Sequence, residues 1–231
     1  MTNFTNSSLI SLTRLSPHRN TRNQPITKIT IHHAAGNIGL EALGDWLSRL
    51  STRASYNYGI SSDGRIGMFV EEKNRSWASS NAANDHQAIT IGVANNSGTP
   101  NWSVSNEAYN SLIELCVDIC RRNGIPELVY DGTPNGSLTR HNMFSNQTCP
   151  GPFLQSRFAE IARLVNVALV PRSATPPTVL QAPPANDVAP WAADAWTWAI
   201  ENLQMDGTRP RDNITRQEVV ALLHRFYSLI G

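Results

Sequence analysis

His141 and Cys149, with seven residues between them, stand in the stretch Thr139-Arg-His-Asn-Met-Phe-Ser-Asn-Gln-Thr-Cys-Pro-Gly-Pro152. The residues between them make a polar loop able to fold both side chains onto one point, and the Cys149-Pro150-Gly151-Pro152 turn ends it. A neutral imidazole and a thiolate suit Zn²⁺, a borderline-soft ion that takes tetrahedral N and S ligands. With six His and three Cys in the chain, some such pair is expected by chance. A second element far upstream adds weight. Ile26-Thr-Lys-Ile-Thr-Ile-His-His-Ala-Ala-Gly36 reads as a short buried strand running into His32 and His33, with small residues and a glycine turn behind them. His32, His141 and Cys149 would leave the fourth tetrahedral position for water, the pattern of a catalytic rather than a structural zinc. Such a site polarises a carbonyl and brings the pKa of bound water to about 7, enough to attack an amide. The same residues also fit a strand-end histidine and a core thiol, and spacing alone leaves both open.

Several elements must position these groups. Lys28 to Ile31 alternates polar and apolar, the period of a strand. Gly39 to Leu50 carries apolar residues at 40, 43, 46, 47 and 50, a helical stripe. Ser55–Ile60 and Arg65–Val70 flank Asp63-Gly64, a hairpin signal. Residues 71–87 read as mixed polar chain holding Trp77 and His86, the latter a surface loop residue. Ala88 to Ala94 is short and apolar enough to be a central strand, with Gly92 marking a bulge or a close approach. Ser105 caps a helix to Asn123 that buries Leu112, Cys116, Ile119 and Cys120, and Gly124 stops it. Cys116 and Cys120 read as buried apolar thiols. Ser137 to Arg140 is a last strand delivering His141. Phe153 to Val170 is a closing helix facing Phe158, Ile161, Leu164, Val165 and Ala168 inward.

Length and composition bound the rest. The 231 residues suit one sizeable core plus a small second unit. A net charge of +1 without a Lys/Arg run gives no case for nucleic acid or an acidic membrane surface. No segment approaches a membrane span, and the N-terminus lacks the basic start and apolar core of a secretory signal. Three cysteines suggest no disulfide framework and synthesis in a reducing cytosol. Residues 1–25 read as a polar arm wrapped over the domain, without chemistry of its own. Residues 171–187 hold five prolines and read as an extended linker. Beyond it, 188–231 is a small helical module. Its first helix is Trp- and Ala-rich from Pro190 to Met205 (Trp191, Trp196, Trp198), ended by Asp206-Gly207. Its second opens on a Thr215-Arg-Gln-Glu218 capping box with an Ile214/Val219 staple, and its stripe is Val219, Leu222, Leu223, Phe226 and Ile230. Two such helices bury little alone, so self-association or docking is expected.

At Ile29-Thr-Ile-His-His-Ala-Ala-Gly36, Arg140-His-x7-Cys-Pro-Gly151 and Tyr56-Asn-Tyr-Gly-Ile-Ser-Ser-Asp-Gly-Arg-Ile66, residues 15–170 resemble the zinc-dependent N-acetylmuramoyl-L-alanine amidases of type 2. Those include phage lysozyme-like amidases and animal peptidoglycan recognition proteins. The resemblance implies an α/β fold, a central mixed sheet flanked by helices, over residues 1–170. It implies hydrolysis of the amide between N-acetylmuramic acid and L-alanine of peptidoglycan, as by a phage or prophage endolysin that is made in the host cytoplasm and released to the wall. The family's zinc ligands fall on His32, His141 and Cys149. A tyrosine that orients water or stabilises the oxyanion falls on Tyr56. His33 and Trp77 become candidate substrate contacts. Two departures stand out: Gly92 occupies the place expected for a general-base Glu, and Gln147 the place of a Lys near the oxyanion. Gly92 keeps open a non-catalytic peptidoglycan-binding protein of the same fold. Trp191 to Phe226 resembles a single S-layer-homology-like repeat, implying a wall polymer as partner, with homo-oligomerisation the alternative.

Overall fold

A computed structural model describes residues 4–170, 188, 192–203, 205 and 216–230. The chain divides into units 1–171 and 172–231. The first is a mixed sheet flanked by helices. Its strands are β1 (Leu12–Thr13), β2 (Arg19–Thr21), β3 (Lys28–His33), β4 (Tyr58–Ile60), β5 (Ile66–Met68), β6 (Asn74–Ser76), β7 (Ala88–Val93) and β8 (Leu138–Arg140). Its helices are α1 (Leu40–Ser48), α2 (Ala82–Gln87), α3 (Asn106–Asn123), α4 (Gly151–Gln155) and α5 (Phe158–Leu169). Six strands pair in the order β1-β5-β4-β7-β3-β8, while β2 and β6 form a separate ribbon.

β3 is interior, parallel to both β7 and β8, and buried on both faces. Strand alternation then sorts its side chains. Ile29 and Ile31, with Ile89 and Ile91 of β7, pack into a core shared with Leu112 and Leu115 of α3 and Phe158 and Ile161 of α5. Thr30 and His32 take the opposite face. There the Thr30 hydroxyl shares a 2.9 Å hydrogen bond with that of Thr139 and accepts one from Asn84 Nδ2. α1 packs Leu40, Leu43 and Leu47 against Phe69 in a smaller cluster.

Helix α3 obeys its sequence signals closely. The Ser105 hydroxyl accepts from the Ala108 N–H, and Gly124 closes the helix at φ 65°. The hairpin turns at Gly64, φ 84°. Elsewhere the fold departs from expectation. Trp46 and Leu50, assigned to the buried stripe of α1, are 41% and 79% exposed. The closing helix is broken: α4 ends at Gln155 and α5 begins at Phe158, and Ala168 faces solvent. The segment 71–87 holds β6 and α2, so His86 lies on a helix, where its Nδ1 accepts from the Asn23 N–H.

The N-terminal arm is built in. β1 extends the main sheet beside β5, and β2 pairs with β6. Arg22 is buried and donates to five backbone carbonyls, those of Glu72, Asn74, Asp85, His86 and Ala88. One guanidinium thereby ties β6, α2 and the start of β7 together.

The second unit contains α6 (Ala193–Leu203) and α7 (Arg216–Ile230). Trp198 meets Phe226 edge-on at 6.4 Å, Arg225 donates to the Leu203 carbonyl, and Leu203 is buried. Val220 and Leu223 remain 65% and 61% exposed. The linker 171–187, Trp191, the Asp206-Gly207 stop, and Ile214 and Thr215 of the staple and capping box lie outside the described residues. Among the described residues no helix is long and apolar enough to cross a membrane.

Candidate metal centre

Parallel register brings the ligands together. Ile31 pairs with Arg140, so His141, one step on, stands beside His32 on the same face of the sheet. Their ring centroids are 4.7 Å apart. The loop after His141 returns at Cys149, where the Asn142 N–H donates to the Cys149 carbonyl at 3.0 Å. The Cys149 sulfur receives the His33 backbone N–H at 3.4 Å and lies 3.7 Å from His32 Nδ1. All three side chains are buried, and one ligand atom from each falls within 4.8 Å of the others.

The donor set fits zinc. Bonds of about 2.3 Å to sulfur and about 2.0 Å to nitrogen subtend about 3.5 Å at a tetrahedral angle, close to the sulfur–Nδ1 separation. Nε2 of His141 is buried without a hydrogen-bond partner in the protein, a nitrogen that such an ion would satisfy. Burial lowers the pKa of both imidazoles, helped at His32 by the neighbouring His141 and His33, so the rings are neutral donors. Burial also pushes the Cys149 thiol up to about 12, against the pull of the His33 N–H. A protein interior that disfavours a thiolate this strongly holds one when a cation neutralises it.

Two cavities share Gln147 as a wall, and one of them is lined by His141 of the cluster. One, of about 470 Å³, is lined by His141, Tyr56, Trp77, Arg53, Arg75 and Asp85, among others. The second, of about 690 Å³, lies on the side of Trp102 and Tyr130. Tyr56 precedes β4 rather than lying within it, and its ring is 5.2 Å from that of His32. Trp77 stands at the cavity wall, its indole N–H donating to Asn20 Oδ1 at 2.7 Å. Gln147 is exposed between the cavities. His33, expected to touch substrate, lines neither cavity. Its ring abuts Trp102 edge-on at 5.0 Å, and its N–H serves the Cys149 sulfur.

Gly92 marks the close approach that a glycine in this strand suggests. It is the register partner of both His32 and Gly59. A Cβ built there would come within 2.7 Å of the Tyr56 ring, so the site has no room for a glutamate while Tyr56 stays in place. Among the described residues, Asp85 is the one carboxylate lining either cavity, and it is engaged by the N–H groups of Ala78 and Ser79 and by the Ser79 hydroxyl. Sequence reasoning missed Trp102, Arg53 and Arg75. Trp102 had a signal, as a lone aromatic in the polar loop after the C-terminal end of a central parallel strand, where ligands gather in open sheets.

The α/β scaffold gathers His32, His141 and Cys149 into a buried cluster that could hold a metal ion. The N-acetylmuramoyl-L-alanine amidase family (Amidase_2) matches residues 22–152, more than half of the chain, and the chain belongs to that family. Its activity is that of a peptidoglycan amidase. Solved structures share the fold. The Staphylococcus aureus hydrolase AmiA in complex with its ligand is 16% identical with a TM-score of 0.54, covering 67% of this chain and 80% of its own. A selenomethionine derivative of AmpD is 17% identical with a TM-score of 0.53, covering 68% and 96%. A mutant endolysin from Bacillus subtilis is 13% identical with a TM-score of 0.51, covering 67% and 97%. No curated protein sequence matches the chain.

Proposed function

We propose that this amidase is zinc-dependent, that it works as a phage or prophage endolysin, and that its C-terminal unit holds it on a wall polymer. The observation that carries the zinc assignment is the convergence of His32, His141 and Cys149, drawn from two parallel strands and a returning loop, within 4.8 Å. Zinc held there supplies Lewis-acid activation of water and of the lactyl carbonyl. The chain's own groups do the remainder. The His33 N–H steadies the Cys149 sulfur, and Trp102 steadies the His33 ring in turn. Burial, with the nearby Cys149, holds the Tyr56 phenol above its ordinary pKa, so its hydroxyl is a proton donor rather than a base at neutral pH. With its ring beside His32 in the cavity that His141 also lines, it would hydrogen-bond the oxygen that gains charge as the amide is attacked, and the Gln147 carboxamide would offer a second, uncharged donor. Arg53 and Arg75 make the His141 cavity cationic, which favours a peptide bearing carboxylates.

The endolysin role rests on the fold shared with the Bacillus subtilis endolysin, and the wall-holding role on the Trp- and Ala-rich α6 with its partner α7. The test is direct. Purified full-length chain is assayed for metal content and for new L-alanine N-termini released from Gram-positive walls, beside Cys149→Ser. One zinc per chain with amine release, both lost in the variant, supports the proposal. Amine release that persists in metal-free protein ends it. Truncation after Val170 should preserve cleavage of soluble muropeptide and weaken sedimentation with walls.

A further inference from the structure

Behind the Cys149 sulfur the exits of β3 and β7 meet. The Ala34 N–H donates to the Val93 carbonyl at 2.8 Å, and the Asn95 N–H to the Gly36 carbonyl at 2.9 Å. Asn95, two residues beyond β7, is fully buried. Its Nδ2 donates to the Trp102 carbonyl at 2.8 Å, which fixes the orientation of the amide, because a carbonyl needs a donor opposite it. The other end of the amide, Oδ1, is buried and has no hydrogen-bond partner among the described residues. Nδ1 of His33 is in the same condition. A buried polar group left so costs about 1–3 kcal/mol. The two side chains are neighbours: burial lowers the His33 pKa, and the Asn95 amide is the group that works against it. A neutral imidazole carries one ring N–H, which an amide oxygen with nothing else to accept can take. Elsewhere the His33 ring is hemmed in, by Trp102 edge-on at 5.0 Å and by Gly151, where a Cβ would stand 3.4 Å from Nδ1.

We propose that Asn95 is a positioning residue of the metal centre. Its amide, anchored on the Trp102 carbonyl, accepts the His33 ring N–H and so sets the tautomer and angle of the residue whose backbone N–H reaches the Cys149 sulfur. The inference rests on the zinc reading and extends it by one link: Asn95 holds His33, and His33 steadies the sulfur. That sulfur has to stay a thiolate where burial disfavours one. Hydrogen-bond partners just outside a ligand set orient the ligands and tune their basicity, and losing one typically costs about 10–100-fold in metal affinity. The backbone contact with Gly36 adds to the hold, since it ties the turn that follows His33 to the same asparagine.

The test uses the full chain, with Zn²⁺ affinity read by competition with a chelator and the His33 imidazole read by nitrogen NMR. Asn95→Ala should weaken zinc binding about tenfold, the low end of that range, because it acts through His33. Asn95→Asp keeps an acceptor for the ring but no amide donor for Trp102, and it should regain most of the loss. In a His33→Phe chain, which retains the backbone N–H and the bulk of the ring, Asn95→Ala should cost little further. The wild-type spectrum should show His33 as one neutral tautomer with a slowly exchanging ring proton, and Asn95→Ala should mix the tautomers. Equal losses in Asn95→Ala and Asn95→Asp overturn the proposal, as does a loss that persists in full beside His33→Phe. Asn95 would then act only by bracing the Trp102 loop. A wild-type chain that takes up no zinc ends the zinc reading instead, and the imidazole spectrum then decides the pairing alone. The same spectrum decides if Asn95→Ala fails to fold: a single wild-type tautomer supports the pairing, and a ring that samples both rejects it.

Discussion

The Tyr56 ring lies directly on Gly92, so that a Cβ at position 92 would meet two of its ring carbons at 2.7 Å. His32 is the register partner of that glycine, and its ring is 5.2 Å from Tyr56. The bare strand position is therefore what lets the tyrosine reach the ligand cluster.

Gly92→Ala should accordingly destabilise the domain by about 1–3 kcal/mol, the ordinary cost of overpacking. It should also lower kcat, because the ring that yields carries the Tyr56 hydroxyl. Gly92→Glu should lose activity rather than gain a general base. Denaturant unfolding and amine release measure the two effects, and the Tyr56→Ala, Gly92→Ala double variant should be less destabilised than the two single losses added together. A Gly92→Glu chain that outpaces the wild type would show that the ring moves aside freely.

The convergence of His32, His141 and Cys149 was legible because the elements that carry them have local signals. β3 announces itself by alternation into His32, and a polar loop ends at a Cys-Pro-Gly turn, so strand and loop coincide with the structure and bring the three side chains together. Helix α3 was legible for the same reason, with cap, stripe and stop all local. What stayed hidden depends on distant partners. Nothing near Gly92 in sequence tells of Tyr56 above it, and only tertiary packing exposes Trp46 and Leu50 on an otherwise regular stripe. The break at Ser156-Arg157 is equally quiet, since Phe153 to Leu169 keeps an apolar rhythm across it. β6 and α2 carry no apolar pattern because they are held by Arg22, a side-chain cap and buried polar groups rather than by apolar burial of their own.

That Arg22 dependence is measurable. Its guanidinium is buried, and burial lowers its pKa to about 10 despite nearby Glu72 and Asp85, so it is charged at neutral pH. Arg22→Ala strands five backbone carbonyls and should cost about 3 kcal/mol or more, roughly 6–12 °C in Tm for a domain of this size. Arg22→Lys should recover little, because an ammonium cannot reach the carbonyls of β6, α2 and β7 with one planar fork. Proteolysis should then begin in residues 74–87, which wall the His141 cavity. Full stability in Arg22→Ala would mean that the β2–β6 ribbon holds without it.

Metal removal should register as stability. An ion that binds the folded chain and not the unfolded one at a hundredfold above its Kd adds about 2.7 kcal/mol, or roughly 5–10 °C here. Chelation should remove that increment from the wild type, and added zinc should restore it. His32→Ala, His141→Ala and Cys149→Ser should each show no response to zinc, while Cys116→Ser, on the buried face of α3 in the apolar core, should keep the response at a lower baseline. Calorimetry with and without zinc decides it, and a zinc response that survives Cys149→Ser would relocate the site.

The last prediction isolates one oxygen atom. Tyr56→Phe keeps the ring on Gly92 and beside His32, so zinc content and Tm should match the wild type. What it removes is the phenolic donor, and loss of one donor to a developing oxyanion costs roughly 10²–10³ in kcat with little change in KM. Gln147→Ala should cost less, because its carboxamide sits on an exposed loop and is less firmly aimed. A Tyr56→Phe chain with unaltered kcat would reduce the tyrosine to a packing element over Gly92. A loss of zinc along with activity would instead place its hydroxyl in support of the ligands, and the two are separated by measuring metal content on the same preparation.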